Sequence, residues 1–62
     1  MKQETILAEE LEKDDAIFVK VNEEDCMKVV QHVWVNFNKN IVVTFDDGIT
    51  MVFKPNKKFN IV

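Results

Sequence analysis

Residues 41–53 read IVVTFDDGITMVF, and the turn inside this stretch decides the fold. Two apolar runs flank Asp47-Gly48, a strong short-range signal for a β-hairpin. Loop length then fixes which side chains share a face, because strand side chains alternate with a period of two. A two-residue loop sets Phe45 opposite Thr50 and Val43 opposite Val52, and sends Ile49, Met51 and Phe53 to the face opposite Phe45. A three-residue loop of Asp46, Asp47 and Gly48 instead sets Phe45 opposite Ile49, Val43 opposite Met51 and Ile41 opposite Phe53. Those large apolar residues then lie together, with Thr44 facing Thr50 and Val42 facing Val52. The pattern therefore predicts a type I turn over the two aspartates and a left-handed Gly48 in a G1 bulge. That geometry accounts for the position of the only glycine in the chain.

Outward from this hairpin, the chain reads as short strands joined by polar turns. AIFVKV (Ala16 to Val21) is a strand by β-branched content, and NEED (Asn22 to Asp25) is a turn. CMKVVQHVWV (Cys26 to Val35) is a long strand, and NFNKN (Asn36 to Asn40), with three asparagines suited to left-handed backbone, turns it back toward the hairpin. Pro55 within KPNKK (Lys54 to Lys58) ends the hairpin, and FNIV closes the chain as a last strand. ETILAEELEKDD admits a helix capped by Thr5, with Leu7 and Leu11 four apart. The favoured reading is a strand over Thr5 to Ala8 and a loop through Asp15.

Sixty-two residues suffice for one small domain, which residues 1–62 are read as forming. Five to six short antiparallel strands in that length are too few for a normal sandwich but can curl into a barrel that hides most edges. The expected fold class is all-β, a single small SH3-like barrel, ahead of a five-stranded OB-type barrel. The run Ile6, Ala8, Leu11, Asp15, Ile17, Val19, followed by Val43, Phe45, Asp47-Gly48, Phe53 and Pro55, resembles small SH3-like barrel proteins of bacterial and phage genomes. Those often read I-x-A-x-x-L-x-x-G-D-x-V-x-V and later V-x-V-x-F-x-D-G. Asp14 stands where that pattern prefers glycine, so the turn before Ile17 is expected to differ or to be strained. The resemblance implies architecture rather than activity.

Composition narrows the function classes. The chain has no Arg, Ser or Tyr, and ten Val, five Phe and one Trp bias it toward strands. One cysteine excludes an internal disulfide framework, no apolar run approaches a membrane span, and MKQETILAEELEKDD lacks a signal-peptide core. A cytoplasmic protein that does not enter a membrane is expected. Charge is segregated: residues 1–32 carry nine acids and four lysines, and residues 33–62 carry two acids and four lysines. An acidic stretch of this kind is usually a solvated face.

Catalysis finds little support. The only nucleophile and base pair is Cys26 with His32, placed by even spacing on one face of one strand but roughly 20 Å apart at about 3.3 Å per residue. No second His or Cys completes a metal site, and NEED lacks the spacing of a calcium loop. No enzyme activity, metal or cofactor is expected. The long strand is more informative, because Met27, Val29, Val33 and Val35 share a face with Gln31, while Val30, His32 and Trp34 share the other with Lys28. With unbroken alternation Trp34 lies on an exposed face. The other alternative is a bulge near Gln31, which would shift the alternation and return Trp34 to the core, where large aromatics usually reside.

Two binding readings follow. One is a protein-interaction module, an accessory or regulatory protein of bacterial or phage type, that docks a larger protein partner through a strand edge or through His32, Trp34 and Phe37. The alternative is a nucleic-acid-binding barrel using Lys39, Lys54, Lys57 and Lys58 around Trp34 and Phe37, set against the lack of arginine and the acidic net charge of −3. A homodimer is the expected way to cover edges left open by so short a barrel.

Overall fold

The computed structural model describes residues 4–62. Along the chain lie β1 (Thr5–Leu7), a one-turn 3-10 segment (Ala8–Glu10), β2 (Ala16–Val21), β3 (Glu24–Val35), β4 (Ile41–Phe45), β5 (Thr50–Phe53) and β6 (Lys58–Asn60). β2, β3, β4 and β5 form an antiparallel sheet in that order, curled into a half-barrel, and β1 pairs with β6 in a separate ribbon. The protein is a small all-β fold.

β4 and β5 pair in the register of the three-residue loop: Ile41 with Phe53, Val42 with Val52, Val43 with Met51 and Thr44 with Thr50. The Gly48 N–H donates to the Phe45 carbonyl at 2.9 Å, the Phe45 N–H donates to the Ile49 carbonyl at 2.9 Å, and Gly48 has φ +87°. This is a type I turn closed by a G1 bulge. Asp47 adds an internal brace, its Oδ1 accepting the Ile49 N–H at 3.0 Å. Burial along the apolar face is graded, since Ile41, Val43 and Phe45 are buried, Met51 and Phe53 are half-buried, and Ile49 is exposed.

The β3–β4 turn repeats this geometry with different residues. Asn36 N–H donates to the Asn40 carbonyl and Lys39 N–H to the Asn36 carbonyl, so Lys39, with φ +64°, occupies the place that Gly48 holds in the other hairpin. The left-handed residue is thus a lysine rather than one of the asparagines. Asn36 contributes differently, its side-chain Oδ1 accepting the N–H groups of Asn38 and Asn40. The β2–β3 turn is shorter than NEED suggested. Asn22 and Glu23 alone form it, both left-handed at φ +51° and +69°, and Glu24 already pairs with Val21. Two consecutive left-handed residues make a type I′ turn, whose twist matches that of the flanking strands.

β3 runs for twelve residues because a β-bulge lets one strand serve two differently oriented partners. Val30 pairs with Phe45 and His32 with Thr44, leaving Gln31 as the extra residue. At this point the Val30 N–H donates to the Asp15 carbonyl and its carbonyl accepts the Asp14 N–H, tying the loop before β2 to the bulge. Asp14 itself is left-handed at φ +78°, at the position where the SH3-like pattern prefers glycine. Before the bulge Lys28 and Val30 point inward; after it Val33 does.

The core gathers Ala8, Leu11, Ile17, Val19, Val30, Ile41, Val43, Phe45 and Phe59 into one cluster. Ala8 belongs to the 3-10 turn and not to the first strand, which ends at Leu7. Its N–H donates to the Lys57 carbonyl, and the Leu7 N–H donates to Glu10 Oε1. The final strand is likewise shifted, spanning Lys58–Asn60 where FNIV was expected. β6 lies between both edges of the half-barrel. Ile61, just after β6, bridges Ile17 of β2, and the Phe59 ring meets Phe53 of β5 edge-on at 4.8 Å between centroids.

Candidate functional site

The bulge at Gln31 decides which residues β3 shows to solvent. Adding one residue reverses the alternation, so Val33 joins Val43 and Met51 inside, and Trp34 joins Val42 and Val52 outside. Neither alternative holds as stated: the alternation is broken by a bulge, yet Trp34 stays on the exposed face. The inward face before Gln31 is the one carrying Lys28 and Val30, not the one carrying Met27 and Val29, so the switch of parity expels Trp34. Trp34 is 49 % exposed and Val52 is 55 % exposed, while Val42 between them is 5 % exposed, covered by its two cross-strand neighbours.

The next row of this outer face is polar: His32, Thr44 and Thr50 lie in register, and the two threonine hydroxyls are 3.0 Å apart. An apolar row bordered by hydroxyls and an imidazole presents both the contact area and the hydrogen-bonding rim of a docking surface. Phe37, in the β3–β4 turn beyond Trp34, is fully exposed. Thus His32 and Trp34 share one face, and Phe37 stands at its end.

The four lysines of the nucleic-acid reading are divided. Lys39 in the β3–β4 turn and Lys54 after β5 fall at the same end of the sheet, since Ile41 pairs with Phe53. Lys57 and Lys58 instead line a cleft of about 210 Å³ beside β2, with Lys20, Asp25, Phe18, Phe53 and Phe59 among its walls. Cys26 and His32 do not share a face of β3 as even spacing implied. Cys26 shares the inward parity of Lys28 and Val30, and the bulge places His32 on the outer face.

Sequence alternation gave no warning of the ion pair inside the half-barrel. Lys28 lies on the inner side of β3 with a side chain 10 % exposed, and its Nζ donates to Asp47 Oδ2 in the β4–β5 turn. The ammonium also stands 5.7 Å from the centre of the Phe45 ring. The hydrogen bond from Lys28, aided by the Ile49 N–H, holds the Asp47 carboxyl below its ordinary value of 3.8. Asp47 therefore has two tasks, bracing the turn and closing over a buried charge.

Among the described residues no group of three or more His, Cys, Asp or Glu is placed to hold a metal ion, and no helix is long and apolar enough to cross a membrane. Compared with protein-family models, curated proteins and solved structures, the chain matches none.

Proposed function

We propose that this protein is a non-enzymatic interaction module of SH3-like kind, acting in the cytoplasm, that docks a larger protein through the outer face of β3, β4 and β5. The observation that carries the reading is the half-exposed row of Trp34 and Val52 around Val42 on a sheet face with no covering element among the described residues. Trp is the residue type most enriched at energetic centres of interfaces, and the adjoining His32, Thr44 and Thr50 supply a rim. Phe37 extends the contact at one end.

A second copy of the chain has a separate route of approach. β5 pairs only with β4 among the described residues, and Thr50–Phe53 carries no charge or proline to discourage edge pairing. Nucleic acid is the competing ligand, favoured by Lys39 and Lys54 lying at the end of the sheet that also presents Phe37.

The test is capture of a partner from extracts of the source cells by immobilised wild type, Trp34→Ala and Val52→Lys proteins, beside a titration with single-stranded DNA and RNA at two salt concentrations. The reading expects one protein retained by the wild type and lost from both variants, with no nucleic-acid binding at low salt. Salt-dependent binding of either nucleic acid, abolished by replacing Lys39 and Lys54, would select the competing reading.

A further inference from the structure

β2 and β6 begin to pair and then separate, and the place where they separate is charged. Ile17 bridges Ile61 in antiparallel sense, and the Val62 N–H donates to the Ala16 carbonyl at 3.2 Å. Continuing that register sets Phe18 opposite Asn60, Val19 opposite Phe59 and Lys20 opposite Lys58. No ladder forms there; instead these six residues line the cleft of about 210 Å³. Like charges directly opposite one another destabilise a strand pair, so Lys20 against Lys58 gives a physical reason for the seam to stop.

The opening has the chemistry of a receptor for negative charge. Lys57 joins Lys20 and Lys58 in the lining, and the one carboxylate among the described lining residues, Asp25, already pairs with Lys20 at 3.4 Å. Apolar walls come from Phe18, Phe53 and Phe59, with Lys57 Nζ 6.0 Å from the centre of the Phe59 ring. Two strand edges facing each other across this opening suit an extended chain, and the aromatic walls suit its carbon atoms better than they suit a free inorganic ion. The geometry points to this cleft as the binding site for an acidic side chain on an extended segment of a protein partner. A glutamate or aspartate seated between Lys20 and Lys58 relieves their repulsion, and the flanking residues rest on Phe18 and Phe59. The site rests on the interaction-module reading but occupies a different surface from Trp34.

The experiment is a 15N-resolved NMR titration of the full chain with a blocked hexapeptide alternating valine and glutamate. The same peptide with glutamine in place of glutamate, and pyrophosphate at matched ionic strength, serve as comparisons. Saturable shifts confined to residues 18–20, 25 and 57–60 are expected for the acidic peptide. Lys58→Gln and Lys20→Gln should each weaken it by roughly five-fold while the remaining resonances stay in place. In Lys58→Glu the repulsive pair becomes an attractive one, so amide exchange at Lys20 and Asn60 should slow without any peptide. Shifts spreading in proportion to salt to Lys13, Lys39 and Lys54, equal binding of pyrophosphate or the glutamine peptide, or unchanged binding by Lys58→Gln would each overturn the proposal. Trp34→Ala should bind the acidic peptide as the wild type does, so failure of this cleft and failure of outer-face docking are read separately.

Discussion

Exchanging side chains between the two three-residue hairpin loops should move stability in opposite directions. Gly48 and Lys39 occupy the same left-handed place in matching turns, at φ +87° and +64°. A Cβ built on Gly48 meets nothing within 4 Å, so replacement there costs backbone strain alone, without collision. Holding an L-residue left-handed costs about 1–2 kcal/mol, and removing a glycine returns about 0.4–1 kcal/mol through the unfolded chain. Gly48→Ala should therefore destabilise by about 1 kcal/mol and the β-branched Gly48→Val by about 1–3 kcal/mol, whereas Gly48→Asn should keep most of the stability. Lys39→Gly should stabilise by up to about 1 kcal/mol for the converse reason. In a domain of this size each 1 kcal/mol moves Tm by roughly 4–8 °C, within reach of circular dichroism melts and urea titrations. An unchanged midpoint for Gly48→Val, or Asn as damaging as Val, would refute the loop geometry.

Four further outcomes follow from particular contacts. Asp47 has its pKa lowered in the fold, so its pairing with Lys28 adds stability above pH 3.8 that is lost as pH falls through the depressed value; acid titrations of wild type and Lys28→Met should differ in that window. Asp47→Ala should destabilise the wild type by leaving the Lys28 ammonium unpaired at 10 % exposure, and much less so the Lys28→Met background, as a double-mutant cycle will show. Asp14→Gly should raise the unfolding free energy by up to about 1 kcal/mol by relieving a left-handed aspartate, read from the urea midpoint, and a drop would mean that its side chain does more than tolerate the turn. Sedimentation should show concentration-dependent dimerisation through β5; because the Phe45–Ile49 bond turns the Thr50 and Val52 backbone groups outward, Val52→Pro should block it without unfolding the monomer, and a strictly monomeric wild type would refute the edge pairing.

The hairpin was legible because its two candidate registers differed in how they sorted six apolar side chains. Only one of them put Ile41, Val43 and Phe45 on the same side as Met51 and Phe53. The long strand was harder. Its apolar residues occur on both parities, and only the pairing partners reveal that Gln31 is inserted and that the inward parity before it belongs to Lys28. A lysine reads as an outward residue until a distant turn supplies a carboxylate. The two-residue length of the β2–β3 turn is hidden in the sequence because Glu23 adopts a conformation for which glycine or asparagine is the usual signal. The cleft could not be seen at all, since it depends on how β2 and β6, far apart in sequence, meet at Ile17 and Ile61.

Docking through the outer face requires Trp34 to lie outside the core, and a comparison of Trp34→Ala with Phe45→Ala by urea unfolding measures this directly. About half of the Trp34 surface is already in water, so its truncation should cost about 1–2 kcal/mol, with an unchanged m-value. Phe45 is wholly buried, and its truncation should cost about 3–5 kcal/mol or prevent folding. A Trp34→Ala protein destabilised as severely as Phe45→Ala would place the indole in the core and contradict the account.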